Sequence, residues 1–300
     1  MLKKYLLAGM IAGLLFSCNG KQPDAVVIQT DFGEKDGAVS AMKGVAYEVD
    51  PALPLFDLTH EIPAYNIWEA AYRLEQTLPY WPAGTVFVSV VDPGVGTERK
   101  SIVAKTKSGH YIVTPDNGTL TLVAASQGIE AVREIDETIN RREGSERSHT
   151  FYGRDVYVFT AARLAAKKIS FEQIGAELKP PVVLIPFQQP ELAENSISGN
   201  IPVLDIQYGN VWTNIPDSFV TKAGIQTGDT IDIQIVFKDS VVCSVRVPFV
   251  KSFGDVPEGN SLAYINSLLN LSFAINMGSF AERYGIKSGP GWSVTVRAKL

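Results

Sequence analysis

The stretch TVFVSVVDPGVGTERK, Thr85 to Lys100, is an apolar run of strand length that breaks into a glycine-rich turn. A carboxylate, Asp92, opens the turn and a guanidinium, Arg99, closes it. That pattern places a charged pair at the rim of a sheet, where a small molecule or a water can be gripped. The turn matches neither standard glycine motif. Arg99 stands where a dinucleotide fingerprint needs a third glycine, and the GK[ST] ending of a phosphate loop is missing. Spacing alone admits two readings, a structural turn with a solvated arginine or a functional pair.

Working outward, the segment from Asp24 to about Phe187 alternates strand-like runs (AVVIQT, LPLFDLT, TVFVSVV, SIVAKT, HYIVTP) with helical stretches (GAVSAMKGVAYEV, NIWEAAYRLEQTL, VYVFTAARLAAKK). This rhythm predicts an α/β domain over 24–190 with a mainly parallel sheet. In the second helical stretch, Trp68, Ala71, Tyr72 and Leu78 recur at helical spacing and read as core, and Pro79 ends it. From Leu178 to Asn200 the chain is rich in proline and polar residues, which reads as a linker or a strand crossing between domains. Beyond it, short β-type runs (NIPVLDIQ, NVWTNI, TIDIQIV, SVVCSVRVPF, SVTVRA) predict a barrel-like β domain over 191–300.

The first residues stand apart. Lys3 and Lys4 precede an apolar stretch from Tyr5 to Phe16 that ends in LFSC, and residues 1–18 read as a signal peptide. The run is too short to span a bilayer, and its ending resembles a bacterial lipobox in which Cys18 is lipidated. A plain secretory signal cleaved nearby is the other reading. Both put the protein outside the cytoplasm, and the first anchors it to a membrane, periplasmic or at the cell surface, through the lipid alone. Loss of Lys3 and Lys4 takes the formal charge from −5 to −7, so nothing suggests a nucleic-acid surface. With 45% hydrophobic and 20% charged residues, the composition is that of a soluble globular protein. Cys243 reads as a buried strand residue. His60, His110 and His149 lie far apart without metal-motif companions, so no protein-built metal site is expected.

Five loops carry the unusual polar residues, most of them at strand ends, the rim where open α/β sheets bind ligands. In TDFGEKDG, Asp31 is suited to a vicinal diol such as a ribose, while Asp36 can equally cap the next helix. DLTHEIPAYN contains His60, read as structural. The Asp92–Arg99 turn is the third loop. In SHTFYGRDVY, preceded by the charged run RREGSER that reads as a mobile solvated loop, aromatic faces and Gly153 can meet a ligand. In DIQYGNVWTNI, Asn210 can read a purine edge, Tyr208 and Trp212 can stack and Asp205 can meet an ammonium; a hairpin with buried aromatics is the structural alternative.

Taken together, TDFG, DLTHEI, DPGVGTER, PDNGTL, FYGRD, YGNVWTNI and INSLLNLSFAINMGSFAERYGI, in this order across the mature chain, resemble the S-adenosyl-L-methionine hydroxide adenosyltransferases. That family also contains the S-adenosylmethionine-dependent fluorinase and chlorinase. The resemblance implies an N-terminal α/β domain and a C-terminal β-barrel, in a homotrimer with active sites at subunit interfaces. It implies hydrolysis of S-adenosylmethionine, as substrate and with no cofactor, to adenosine and L-methionine by attack of water on the ribose C5′. By motif position it assigns Asp31 to the ribose hydroxyls and Asp205 to the methionine ammonium. Tyr65 and Phe151 line the ribose and adenine pocket, Tyr152 or the backbone near Gly153 completes the water site, and Tyr208, Asn210 and Trp212 receive adenine from the neighbouring subunit. Asn266 and Ser267 fall to the methionine carboxylate end, and Asn276 and Met277 to adenine.

Family hydrolases surround the attacking water with aspartate, arginine and histidine. Asp92 and Arg99 match, and Tyr152 stands where FHGRD has histidine. A phenol with a pKa near 10 is a poor base at neutral pH, where imidazole titrates near 6.5. His149, three residues earlier, is a candidate substitute. Tyrosine here also occurs in halogenating relatives, which carry a neutral tyrosine at the Asp92 position. An ionised Asp92 about 4 Å from a halide repels it by roughly 4 kcal/mol at an effective dielectric near 20, which favours water. A halogenase and a non-catalytic nucleoside-binding lipoprotein remain the competing readings.

Overall fold

The computed structural model describes residues 24–179 and 182–298. The signal segment and Cys18 lie outside the described residues.

Strands β1 (Val26–Thr30), β2 (Leu55–Thr59), β3 (Val86–Val90), β4 (Ser101–Thr106), β5 (Tyr111–Pro115) and β6 (Ile129–Glu134) form one sheet in the order β2-β1-β3-β5-β4-β6. β1 pairs in parallel with β2 and β3, and β3 in parallel with β5, while β4 runs antiparallel between β5 and β6. The sheet is therefore mainly parallel, as the βαβ rhythm predicts. Every residue of β1 and β3 is buried, which is why both read as unbroken apolar runs.

Four helices accompany the sheet: α1 (Ala38–Val49), α2 (Ile67–Thr77), α3 (Thr121–Ser126) and α4 (Val158–Ala165). Asp36 Oδ1 accepts from the Ala38 amide, the capping alternative for that residue. Asn66 caps α2 through the Glu69 amide, and α2 gives way to a 3-10 turn containing Pro79. Trp68, Ala71, Tyr72 and Leu78 are all buried, as their spacing predicts. α1 and α4 pack on the Val26–Ile28–Val88 face, while Leu74 and Leu78 pack against Val27 and Phe87 on the other.

The proline-rich stretch ends in two strands, β7 (Glu191–Ala193) and β8 (Ser196–Asn200), so its last ten residues form a hairpin of a sheet. Next come β9 (Val203–Asp205), β10 (Asn210–Pro216), α5 (Asp217–Lys222), β11 (Thr230–Phe237), β12 (Ser240–Pro248), β13 (Ser261–Ile265), β14 (Asn270–Ile275), α6 (Phe280–Tyr284) and β15 (Trp292–Ala298). They build two antiparallel sheets, β13-β14-β10-β9 and β12-β11-β15-β8-β7. Their alternating residues enclose a core that includes Ile197, Val211, Ile233, Phe273 and Val294, with Cys243 buried at its edge as its strand reading predicts. Trp68 donates its indole N–H to the Pro202 carbonyl, 2.9 Å away, fastening α2 to this part of the chain.

Candidate active site

In the order β2-β1-β3, the chain leaves β1 towards one neighbour and returns on its other side as β3. This is the topological switch point at which open α/β sheets bind ligands. Thr30 pairs with Val90, so Asp31, the first residue past β1, and Asp92, the second past β3, both emerge at the carboxyl edge. Asp31, Phe32, Tyr65, Asp92, Phe151, Tyr152 and Gly153 line one cavity of about 260 Å³ there.

Arg99 folds back along its turn onto Asp92. Its Nε donates to both carboxylate oxygens at 2.9 and 3.0 Å, and its Nη2 to Oδ2 at 2.6 Å. The two side chains are only 6% and 11% exposed, so of the two readings the sequence admits, a solvated arginine is ruled out. Burial alone would lower the Arg99 pKa, and the Asp92 hydrogen bonds overcome it, with the pKa held above its ordinary value. Gly96 makes the reversal possible: its φ of 77° suits glycine, and a Cβ there would come 3.2 Å from the His149 carbonyl.

Asp31 Oδ2 accepts the amide of Tyr65, whose φ of 66° is unusual for a bulky residue. The Tyr65 ring is left exposed at the cavity mouth. His60 is structural, as expected. Its ring bonds Thr30 Oγ1 at 2.9 Å and Asp57 Oδ1 at 3.0 Å, which ties the ends of β1 and β2 together.

Phe151, Tyr152 and Gly153 reach the cavity through a π-helical turn, Gly153–Tyr157, that precedes α4. In an α-helix, residues five apart point about 140° away from each other, whereas a hydrogen bond spanning five residues brings them towards one side. Tyr152 and Tyr157 accordingly face each other, with ring centroids 6.3 Å apart. A Cβ on Gly153 would come 3.3 Å from Phe32 and Val90, so a larger residue would push these side chains back by a few tenths of an ångström.

The Tyr152 ring has two guanidinium neighbours, Arg99 at 4.7 Å and Arg141 at 4.8 Å from its centroid. Arg141 belongs to the charged run expected to be a mobile solvated loop; the run is a loop with Glu143, Glu146 and Arg147 exposed, but Arg141 itself is not solvated. Its side chain is 8% exposed, pairs with Glu137 and donates to the Ser148 carbonyl, because the Tyr152 face and the turn's carbonyls offer it more than solvent does. His149 is exposed and does not line the cavity.

The remaining expected residues gather elsewhere. Asp205, Tyr208, Asn210, Trp212, Asn266, Ser267, Asn276 and Met277 line a separate groove of about 1000 Å³ between the β9–β10 and β13–β14 hairpins. Asp205 accepts from Asn210 Nδ2 at 3.2 Å. Burial pushes the neighbouring Tyr264 phenol up to about 12, with the Asp205 charge adding to it. The Trp212 indole N–H is buried against that phenol and partly offsets the rise. Asn266 holds its own hairpin, accepting from the Leu268 and Asn270 amides and donating to Ser272 Oγ. Asn276 likewise donates to the Val256 carbonyl, while Met277 is exposed at the rim. Gly209, with φ 67°, packs so closely on Ser279 that a Cβ would sit 2.0 Å from its Oγ.

Two contributors were not legible in advance. Tyr157, completely buried, donates to Asp92 Oδ2 at 3.2 Å, and Ser101 bridges Arg99 and Tyr157. Both read as ordinary helix or strand residues. The one available signal was their proximity to the FYGRD and DPGVGTER motifs. Among the described residues, no group of three or more His, Cys, Asp or Glu could hold a metal ion.

Models of the N-terminal and C-terminal domains of the SAM hydroxide adenosyltransferases match residues 26–175 and 199–293. The chain is 37% identical over 248 residues to the (R)-S-adenosyl-L-methionine hydrolase of Methanocaldococcus jannaschii, covering 81% of this chain and 85% of that protein. It is 32% identical to the Thermus thermophilus protein of the same name, covering 88% and 96%. With the fluorinase of Nocardia brasiliensis it shares 29% identity over 94% of this chain and 98% of that one. A crystal structure of an uncharacterised conserved protein from Thermotoga maritima superposes with a TM-score of 0.81 at 32% identity, covering 91% and 99%.

Proposed function

The chain belongs to the S-adenosyl-L-methionine hydroxide adenosyltransferase family, and from that membership we propose how its residues carry out the reaction. The enzyme hydrolyses S-adenosyl-L-methionine to adenosine and L-methionine. The names of its hydrolase relatives point to the (R) sulfonium epimer as substrate. Water oxygen bonds to C5′, the C5′–S bond breaks, and its electron pair returns to sulfur as the neutral thioether of methionine. The water's proton leaves to solvent or to a neighbouring acceptor. A sulfonium is already a good leaving group, so the protein has mainly to align water with the C–S bond and exclude competitors.

The observation that carries this reading is the buried Asp92–Arg99 pair beside Asp31 at the switch point. Asp31 holds the ribose hydroxyls, Asp92 orients the water, Arg99 fixes Asp92, and Tyr152 with the Gly153 backbone closes the water site. Arg99 also alters the case against halide. With a guanidinium on both carboxylate oxygens, the simple like-charge repulsion is largely offset. What selects water is that a carboxylate accepts hydrogen bonds, which water can donate and a halide cannot.

A cavity of about 260 Å³ falls below the 300 Å³ or more usual for small-molecule sites, and the remaining expected ligands line a different groove of the same chain. We therefore take the assembly to be a homotrimer in which Asp205, Tyr208, Asn210, Trp212, Asn266, Ser267, Asn276 and Met277 of one subunit complete the pocket of the next. We place the division between the two domains near residue 190. The antiparallel sheets, bridged at Phe249–Ala263 and by the Asn200 amide donating to Asn214, support a barrel-like C-terminal domain. We also assign the mature protein an extracytoplasmic address, anchored through lipidated Cys18.

The reading is tested by incubating the purified protein with each sulfonium epimer, with and without chloride and fluoride, and separating the products. Adenosine and methionine are expected. A 5′-halo-adenosine would make it a halogenase, and nucleoside affinity without product would make it a binding protein. Light scattering tests the trimer, and fatty-acid labelling of wild type against Cys18→Ala tests the anchor.

A further inference from the structure

Asp92 does not hang from Arg99 alone. Arg99 Nη1 donates to Ser101 Oγ at 2.9 Å, Ser101 Oγ donates to the Tyr157 hydroxyl at 3.3 Å, and that hydroxyl donates to Asp92 Oδ2 at 3.2 Å. With Arg99 Nε and Nη2 on Asp92, the four side chains close a ring. The direction of its last link is fixed chemically. Burial, with the Asp92 charge adding to it, raises the Tyr157 pKa far above the ordinary phenol value, so the hydroxyl keeps its proton and can only donate to the carboxylate.

The two carboxylate oxygens are therefore unequal. Oδ2 receives Arg99 Nε, Arg99 Nη2 and Tyr157, whereas Oδ1 receives Arg99 Nε alone. Tyr157 is completely buried and does not line the cavity, while Asp92 does. We propose that Tyr157, with Ser101 behind it, is a positioning residue for the hydrolysis: it saturates Oδ2, fixes the carboxylate plane, and leaves Oδ1 as the oxygen that accepts from the attacking water. The inference rests on the hydrolase reading above. It also accounts for the π-helical turn, which rotates residue 157 towards the same side as residue 152.

Tyr157→Phe keeps the buried ring and removes only the hydroxyl. The expected result is a fall in kcat of about tenfold or more, from losing one hydrogen bond to a charged group, with KM within about twofold and a thermal midpoint lowered by only about 5 °C. A role in packing alone would move the midpoint and leave kcat in place. Ser101→Ala cuts the same ring elsewhere and carries the test if Tyr157→Phe does not fold. The double variant should lose little beyond the worse single one, because both remove the same constraint. Unchanged kcat in Tyr157→Phe, a loss confined to KM, or fully additive losses in the double variant would each overturn the proposal. Wild-type protein that turns over neither epimer would remove the hydrolase reading and this proposal with it; active wild type with an equally active Tyr157→Phe removes the proposal alone.

Discussion

Replacing Asp92 with asparagine changes one atom in the place where stability and chemistry overlap. Arg99 makes three hydrogen bonds to the carboxylate and Tyr157 a fourth. An amide nitrogen in place of Oδ2 would face the two Arg99 donors and Tyr157, and in place of Oδ1 it would face Arg99 Nε. Neither orientation satisfies all the donors, and both leave a guanidinium that is 11% exposed without its counter-charge. Breaking one partner of such a buried pair destabilises by about 3–5 kcal/mol. Against a global stability of about 5–15 kcal/mol the variant is expected to fold, with a lowered urea midpoint. Turnover should fall by about two to four orders of magnitude, the range of acid–base and water-orienting groups, with a smaller change in KM because Asp31 and the other ligands are intact. The double variant Asp92→Asn/Arg99→Met removes the orphaned charge, so it should recover much of the stability and none of the turnover. Wild-type kcat in folded Asp92→Asn would refute the reasoning, because the pair would then be purely structural.

Other perturbations follow from the same geometry. Tyr152→His restores an imidazole at the water site and should raise turnover about tenfold at neutral pH. Arg99 and Arg141 beside it favour the neutral ring, so activity should be lost on acidification only below about pH 6.5, as a pH–rate profile would show. His149→Ala should leave kcat and KM unchanged, since that side chain is exposed and outside the cavity. Gly209→Ala forces a Cβ into Ser279 at a left-handed φ, and should cost about 1–3 kcal/mol and weaken substrate binding, read as a lower thermal midpoint and a raised KM.

The parallel part of the fold was legible because β1 and β3 are buried on both faces and so appear as unbroken apolar runs. β6 was not, since half-exposed IEAVRE borders a polar loop and carries weak alternation. Asp31 and Asp92 could be picked out as strand-end acids, but their adjacency depends on the β2-β1-β3 order, which is a property of the whole sheet. The FYGRD segment pointed to Tyr152 and Gly153. Tyr157 remained hidden because residues five apart look unrelated at helical spacing, and only the π-helical turn unites them. RREGSER forms the expected loop with Glu143, Glu146 and Arg147 exposed, and only Arg141 departs from the solvated reading. Its charge suggests solvent, and the ring that shelters Arg141 comes from a later segment.

Hydrolysis at C5′ is tested most directly by turning over the (R) epimer in heavy-oxygen water and weighing both products by mass spectrometry. Attack of a water held by Asp92 predicts adenosine carrying the heavy oxygen at its 5′ position, together with unlabelled methionine. Unlabelled adenosine, or no adenosine at all from protein that still binds the substrate, would contradict it.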